Sequence, residues 1–323
     1  AQDIVVDGMG RERQQYSGDC GHQLHAVRMA RGEVRLPARY LRTFAQGQFL
    51  SGVFSDSWPA VDRLQRLWER QIDGSVWGPI IDHSIGFVFD HYHHWMESGD
   101  LSPFVDNADR VAKFVAFLRR DAEPDGWLPS VRTDEHAVWL DHDAYPSAAH
   151  KRVALNLYAV AMLRHAYAPL LRATGRPTAE VESFADGLLK KTIAEGWDPA
   201  RRLFVGGLPV GDAHVDDRAI ATAVIYGFNP GGENGPSVAL LADSAATIGQ
   251  SYPANRPWNH WALIEGGRID AVLTELRTRW ATMTSVLEAG TIGEVWTTRK
   301  DSQDLMSHCA LAPLIALHHG ILG

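Results

Sequence analysis

Apolar residues recur three and four positions apart along most of the chain. Val111, Phe114 and Leu118 show this spacing, which would place them on one face of a helix. The same pattern predicts helices over residues 19–31, 37–48, 57–68, 80–98, 104–120, 153–171, 178–195, 215–227, 236–248, 256–266, 268–284 and 304–321. We find no convincing run of alternating polar and apolar residues, the pattern typical of a β-strand. The chain is therefore predicted to be all-α.

Glycine and proline residues separate the predicted helices. Gly175 and Pro177 form a Gly-then-Pro stop signal after the segment 153–171. Pro59 suits the first turn of the segment 57–68, because a helix needs no backbone N–H bond there. Residues 227–232 form a loop that is dense in helix-breaking residues. The helices thus come in pairs joined by short turns or longer loops.

About twelve helices in pairs fit either a closed toroid or an open solenoid. A solenoid would repeat a unit of fixed length, whereas the pairs in this chain differ in length and in loop content. The long loops 121–147 and 196–215 contain Asp, His and Trp, which is typical of a binding face on one rim. We therefore predict an (α/α)6 toroid of six helical hairpins. No linker interrupts residues 1–323, so a single domain is expected.

Composition and charge narrow the function classes. The chain has 323 residues, of which 45% are hydrophobic and 22% charged, typical of a globular protein. A net charge of −8 with dispersed basic residues argues against nucleic acid or a membrane surface as a partner. Two cysteines, Cys20 and Cys309, exclude a disulfide scaffold, and unlinked thiols are favoured over one disulfide. Eleven tryptophans and fifteen histidines suit sugar binding, although aromatic rings also build ordinary cores.

The segment 7–19 combines carboxylates at Asp7, Glu12 and Asp19 with two arginines, glycines and Tyr16. From composition alone, a solvated arm with internal ion pairs is one interpretation. The segment also resembles the signature of the α-L-rhamnosidase family: an Asp, an acidic residue flanked by arginines, and then aromatic-x-Gly-Asp. The resemblance implies that Glu12 is the general acid. It also implies that Asp7, Arg11 and Asp19 hold sugar hydroxyls, and that Tyr16 supplies a stacking face where Trp is common.

A second family signature lies near the C-terminus. The sequence 290–296 resembles a Gly-x-Thr segment that leads into Trp-Glu-x-Trp, with Gly293 where a Trp is usual. The sequence 307–313 resembles the Ser-His element that follows it. The resemblance implies that Glu294 is the general base, that Trp296 supplies a stacking face, and that His308 binds substrate.

The middle of the chain resembles the family more loosely. Asp82, Trp139 and Asp141 fall near substrate-facing family positions, with His142 where the family has a Trp. The resemblance implies that Asp82 contacts the sugar and that Trp139 stacks on it. The alternative for each position is a helix cap or a packed aromatic ring.

The resemblance implies an inverting glycoside hydrolase that releases terminal α-L-rhamnose or a related sugar from a glycoside. One carboxylic acid protonates the leaving oxygen and one carboxylate activates water, about 6.5–9.5 Å apart. A closed toroid would bring Glu12 and Glu294 together if its first and last hairpins meet. No organic cofactor and no metal are implied. The partners expected are a carbohydrate substrate and additional β-rich domains of the same enzyme, so the chain is either a complete domain or a fragment.

Other functions stay open at this point. The same toroid could serve another glycosidase, a polysaccharide lyase or a sugar epimerase, because function lies in the site rather than in the fold. A non-catalytic sugar-binding domain is the second alternative. The cellular compartment also stays open, since a cleaved signal peptide leaves no trace.

Three further clusters have two interpretations each. Asp90 and His94 share a helix face and would suit either a metal or a polar stripe. The acidic segment 212–217 would form a solvated loop or helix cap, or else contact calcium or sugar. The segment 259–261 would pack in the core or reach a sugar.

Overall fold

The helices of the chain form two concentric layers. The computed structural model describes residues 5–6, 14–59, 79–122, 126–141, 145–207, 212–299, 302, 305–307 and 310–322. Within these residues the α-helices are α1 (Ser17–Arg31), α2 (Arg35–Phe44), α3 (Ile81–Ser98), α4 (Ser102–Asp121), α5 (Ala148–Met162), α6 (Ala168–Ala173), α7 (Ala179–Gly196), α8 (Asp217–Tyr226), α9 (Gly235–Ala242), α10 (Arg256–Glu265), α11 (Ile269–Glu275), α12 (Thr284–Ala289) and α13 (Ala312–Leu317). One antiparallel sheet pairs β1 (Trp197–Asp198) with β2 (Leu203–Phe204).

Among the described residues, six helices form a closed inner ring. In order around the ring they are α1, α3, α5, α8, α10 and α13; each packs against the next, and α13 packs against α1. The ring returns to its start, so the predicted toroid is confirmed and the open solenoid is excluded. Closure also brings the two ends of the chain to neighbouring positions, as the two distant sequence signatures require.

The other helices lie outside the ring. The pair α2 and α4 packs against α3, α7 packs against α5, α9 packs against α8 and α10, and α11 packs against α10. Each therefore covers the outward face of an inner helix. The predicted helix within 57–68 falls largely on residues 60–78, which lie outside the described residues.

The apolar spacing in the sequence explains which faces are buried. α5 is buried around nearly its whole circumference from Val153 to Met162, as expected of a helix between two layers. Between α2, α3 and α4, the rings of Phe44, Phe54 and Phe87 pack with centroids 4.8–6.5 Å apart. No helix in the described part of the chain combines the length and the apolar character needed to cross a membrane.

Several predicted boundaries needed correction. The segment 153–171 is helical from residue 148 to 173, with a π-helical turn at Leu163–Tyr167. The segment 236–248 ends early, because the carboxylate of Asp243 accepts the N–H of Ala245 (2.9 Å) and forms a turn instead. In the segment 304–321 an α-helix begins at Ala312, with a proline at the next position.

Candidate active site

The inner helices surround a central cavity of about 540 Å³. All six inner helices contribute to its wall. α1 and α3 run parallel, because the Ser17 hydroxyl donates to the carbonyl of His83 (3.2 Å) at one end and the rings of His25 and His93 meet (centroids 4.6 Å apart) further along. The cavity therefore follows the ring axis, and the first turns of α1, α3, α8 and α10 line the end that forms its rim.

Five of the residues that the sequence predicted line this cavity: Tyr16, Asp19, Asp82, Trp139 and Glu294. Glu294 is buried, with 6% of its surface exposed. Its position is 275 residues from Asp19 in the sequence, and only closure of the ring brings the two to one cavity. The structure thus assembles carboxylates and aromatic rings from both ends of the chain at one rim.

The chain before α1 is fastened to a neighbouring loop. The side-chain amide of Gln15 donates to the backbone carbonyl of Trp58 (2.6 Å), and the backbone N–H of Trp58 donates to the backbone carbonyl of Gln15 (3.2 Å). Tyr16 forms an isolated β-bridge with Ser57. A Cβ at Gly18 would lie 2.6 Å from Nε2 of His83, so a larger residue there would displace the His83 ring where α1 passes α3. These contacts fix the direction in which Tyr16 and Asp19 meet the cavity.

The carboxylate of Asp82 binds the backbone of the loop that carries Trp139. Its two carboxylate oxygens accept the backbone N–H groups of Trp139 and Leu140, both at 2.8 Å. Leu140 has a positive φ of 57°, which is strained for a leucine. The Leu140 carbonyl accepts the side-chain amide of Asn255 (3.2 Å), and Asp141 accepts the N–H of Tyr252 (3.1 Å). Asp82 therefore acts as a positioning residue for Trp139.

Of the other predicted residues the structure describes only Trp296, which does not line the cavity. The Trp296 indole N–H donates to the carbonyl of Ser251 (3.1 Å), its ring meets that of Trp280 (centroids 5.0 Å apart), and the Arg279 guanidinium lies 3.6 Å from its centroid. The ring therefore packs behind the cavity wall instead of offering the predicted stacking face. Four other predicted residues lie outside the described residues: Asp7, Arg11, Glu12 and His308.

The sequence analysis missed several residues of the wall. His22 follows Asp19 by three positions, a spacing that places both on one helix face and was a usable signal. Burial lowers the pKa of His22 to about 4, so its imidazole is neutral at pH 7. Arg218 follows the acidic segment 212–217, whose composition is typical of a solvated loop, and no sequence signal marks it as buried. Trp258 and Tyr252 complete this side of the wall.

The deeper part of the cavity is aromatic and largely uncharged. Asp90 is 8% exposed and accepts a hydrogen bond from the Tyr40 hydroxyl (3.3 Å). Burial raises the pKa of the Asp90 carboxyl to about 8. Burial also lowers the pKa of His93. His94 lies near Asp100 instead (3.7 Å), so it shares no ligand set with Asp90. Among the described residues, no group of three or more His, Cys, Asp or Glu side chains could hold a metal.

The acidic segment before α8 is structural. Asp216 caps α8, because its carboxylate accepts the N–H of Ala219 (2.8 Å), as the cap interpretation predicts. Asp217 is buried in an ion pair with Arg256 (2.6 Å), whose guanidinium also binds Glu275 (2.6 Å). In the segment 259–261 the first two residues are buried in the core, while the tryptophan lines the cavity.

Comparison with known proteins identifies the same fold. No protein-family model matches the sequence, and no curated protein matches it. The rhamnosidase from Klebsiella oxytoca with rhamnose bound matches at a TM-score of 0.74 and 19% identity, over 100% of this chain and 61% of that chain. The Streptomyces avermitilis α-L-rhamnosidase complexed with L-rhamnose matches at 0.70 and 15%, over 98% and 29%. The mannosylglycerate hydrolase from Thermus thermophilus matches at 0.62 and 12%, over 97% and 95%.

These likenesses establish the fold. The chain spans less than two thirds of the length of either rhamnosidase chain, at 61% and 29%. It spans nearly the whole of the mannosylglycerate hydrolase chain, at 95%. The toroid therefore occurs both as part of longer chains and as almost the whole of another.

Proposed function

We propose that this chain is the catalytic domain of an inverting glycoside hydrolase that releases terminal α-L-rhamnose or a closely related sugar. Glu12 is the general acid and Glu294 the general base. The observation that carries the proposal is the burial of Glu294 in the wall of the central cavity that the first turn of α1 also lines. The fold shared with rhamnosidases that bind rhamnose supports the same substrate class.

The chemistry needs two carboxyl groups in different protonation states. The Glu12 carboxylic acid gives its proton to the glycosidic oxygen as the bond from that oxygen to the anomeric carbon breaks. The Glu294 carboxylate takes a proton from a water molecule whose oxygen attacks the anomeric carbon from the opposite face. The products are the free sugar with inverted configuration and the protonated leaving alcohol, and a proton moves from Glu294 back to Glu12 through solvent.

The cavity wall supplies the other requirements of such a reaction. Asp19 offers a carboxylate at the rim to hold sugar hydroxyls, and Trp139 offers a ring that Asp82 keeps in place. Asp7, Arg11 and His308 belong to the same proposal through the family signatures alone. The cavity suits a terminal sugar unit rather than the middle of a long chain, because the helix ring surrounds it laterally.

A second candidate function keeps the reaction and changes the sugar. The mannosylglycerate hydrolase from Thermus thermophilus has this toroid as nearly its whole chain, of which 95% is matched. A glycosidase for a different terminal sugar is therefore the alternative. It would use the same cavity and the same pair of carboxylates, and would leave α-L-rhamnosides intact.

The test is hydrolysis of an alkyl α-L-rhamnoside, whose leaving alcohol must be protonated, by the wild type and by two variants. Both Glu294→Gln and Glu12→Gln should lower kcat by roughly 10²–10⁴-fold, since general acid–base catalysis contributes about that much. Asp90→Asn is the matched control, because Asp90 is also a buried carboxyl in the cavity wall but lies deeper on α3. Near-normal turnover in either glutamine variant would remove that residue from the mechanism. No turnover by the wild type, with hydrolysis of a 4-nitrophenyl mannoside or glucoside, would select the second candidate.

A further inference from the structure

Arg218 is a buried cation in the cavity wall that the proposed hydrolysis does not use. It is the second residue of α8 and is 6% exposed. Its guanidinium carbon lies 4.6 Å from the ring centroid of Tyr158 and 4.8 Å from that of Trp258. These two rings are nearly perpendicular, at 80°, with centroids 5.6 Å apart. The guanidinium therefore sits in a corner between two aromatic faces and borders the cavity on another side.

This cation has no counter-ion among the described residues. Within that part of the chain no carboxylate lies within 4.0 Å of the guanidinium, and Nε of Arg218 has no hydrogen-bond partner. The adjacent carboxylates are engaged elsewhere. Asp216 accepts a hydrogen bond from the Tyr145 hydroxyl (2.9 Å) and caps α8, while Asp217 forms an ion pair with Arg256.

A buried guanidinium without a counter-ion is costly, because the removal of a charge from water is offset only by pairing. The two aromatic faces offset part of this cost through cation–π attraction, and the Tyr158 hydroxyl, which hydrogen-bonds with Arg218, is neutral. Neither supplies the opposite charge. Since Arg218 borders the cavity, a bound anionic ligand can supply it.

We propose that Arg218 binds the carboxylate of an acidic sugar unit, so that the natural substrate of this cavity is a glycoside containing a uronic acid. A guanidinium presents its N–H groups as a planar fork that matches a carboxylate in two parallel hydrogen bonds. Trp258, whose ring the guanidinium contacts, also lines the cavity. The inference rests on the proposed function for the identity of the reaction, but the carboxylate subsite itself does not depend on turnover.

The test is binding of free monosaccharides, which the protein cannot cleave, measured by isothermal titration calorimetry. The probes are two pairs that differ only at C6: D-glucuronate with D-glucose, and D-galacturonate with D-galactose. The wild type should bind at least one uronate ten-fold or more tightly than its neutral partner. Arg218→Met should abolish that preference without changing the affinity for the neutral sugar. Arg218→Lys should keep part of it, because the charge remains and the planar fork is lost.

Arg279→Met is the matched control. Arg279 is also a guanidinium stacked on a tryptophan, at 3.6 Å from the Trp296 centroid, but it does not line the cavity. This variant should keep the uronate preference. If Arg218→Met fails to fold by circular dichroism, the wild-type and Arg218→Lys measurements decide.

Three results would overturn the inference: no uronate binding by the wild type, equal binding of uronate and neutral sugar, or a preference that survives Arg218→Met. Tighter binding of galactose 6-sulfate than of galacturonate would contradict the assignment to a carboxylate. Rhamnoside hydrolysis without uronate preference would leave the proposed function standing and remove this inference. Uronate preference without rhamnoside hydrolysis would support this inference and contradict the proposed function.

Discussion

Replacing Asp82 by asparagine should release the loop that carries Trp139. The carboxylate of Asp82 accepts two backbone N–H groups, those of Trp139 and Leu140, at 2.8 Å each. An asparagine side chain offers one acceptor oxygen and one NH2 donor, so it can satisfy only one of the two. The other N–H would face a donor inside a site where Asp82 is only 6% exposed. The perturbation thus removes one hydrogen bond and places two donors against each other.

The magnitude follows from the number and kind of bonds lost. A hydrogen bond to a charged group contributes about 1.5–3 kcal/mol, and an unsatisfied buried donor costs about 1–3 kcal/mol. Leu140 holds a positive φ of 57°, so relaxing the loop recovers part of this. We expect a net local destabilisation of about 2–4 kcal/mol, which corresponds to roughly 30- to 1000-fold faster opening of the loop by the tenfold-per-1.4 kcal/mol relation.

Amide hydrogen exchange measured by NMR or mass spectrometry reports this opening directly. In Asp82→Asn the amides of Trp139 and Leu140 should exchange roughly 30-fold faster or more, by the same relation. Asp90→Asn lies on the same helix and the same cavity wall without touching this loop, so it should leave both amides unchanged. Unchanged protection in Asp82→Asn would refute the positioning role. Equal acceleration in both variants would show a general loss of stability instead.

Three other predictions concern stability and binding. Arg256→Met leaves two buried carboxylates without their cation and should lower the free energy of unfolding by about 3–5 kcal/mol in urea titrations; an unchanged midpoint would contradict the buried network. Burial raises the pKa of Asp90 to about 8. The protonated Asp90 carboxyl therefore stabilises the fold fully at acid pH, below its unfolded pKa of about 4, and this stabilisation is lost as the pH rises toward 8. Asp90→Asn should lose less stability than the wild type between pH 5 and pH 8, and parallel losses in the two proteins would count against this. Trp139→Ala should raise the KM for an aryl rhamnoside, whereas Trp296→Ala should lower thermal stability and leave KM near normal; the opposite pattern would exchange the two roles.

The spacing of apolar residues predicted most of the helices, because it reports directly which helix face is buried. The segments 80–98, 104–120 and 256–266 match α3, α4 and α10 within a few residues, since apolar spacing and glycine or proline stops agree there. The sequence was less informative where a side chain redirects the backbone. The helix predicted over 268–284 ends earlier than predicted: α11 passes into a π-helical turn at Leu276–Trp280, and α12 begins at Thr284.

The sequence motifs predicted which side chains reach the cavity at its rim, but not those whose position depends on tertiary contacts. Asp19 and Glu294 reach one cavity because the ring closes, which the pairing of helices already implied. Trp296 lies two residues from Glu294, yet the Ser251 carbonyl and Trp280 draw its ring away from the cavity. Arg218 is polar and charged in the sequence, and only the surrounding aromatic rings show that it is buried.

The most direct test of the central proposal is the configuration of the sugar at the moment of its release. Hydrolysis of an α-L-rhamnoside in deuterated water, followed by proton NMR from the first minutes, distinguishes the two anomers before they equilibrate. The proposed pair of carboxylates on opposite faces of the sugar predicts that β-L-rhamnose appears first and the α-anomer only later, by mutarotation. Initial release of the α-anomer would contradict the assignment of Glu294 as a base that activates water.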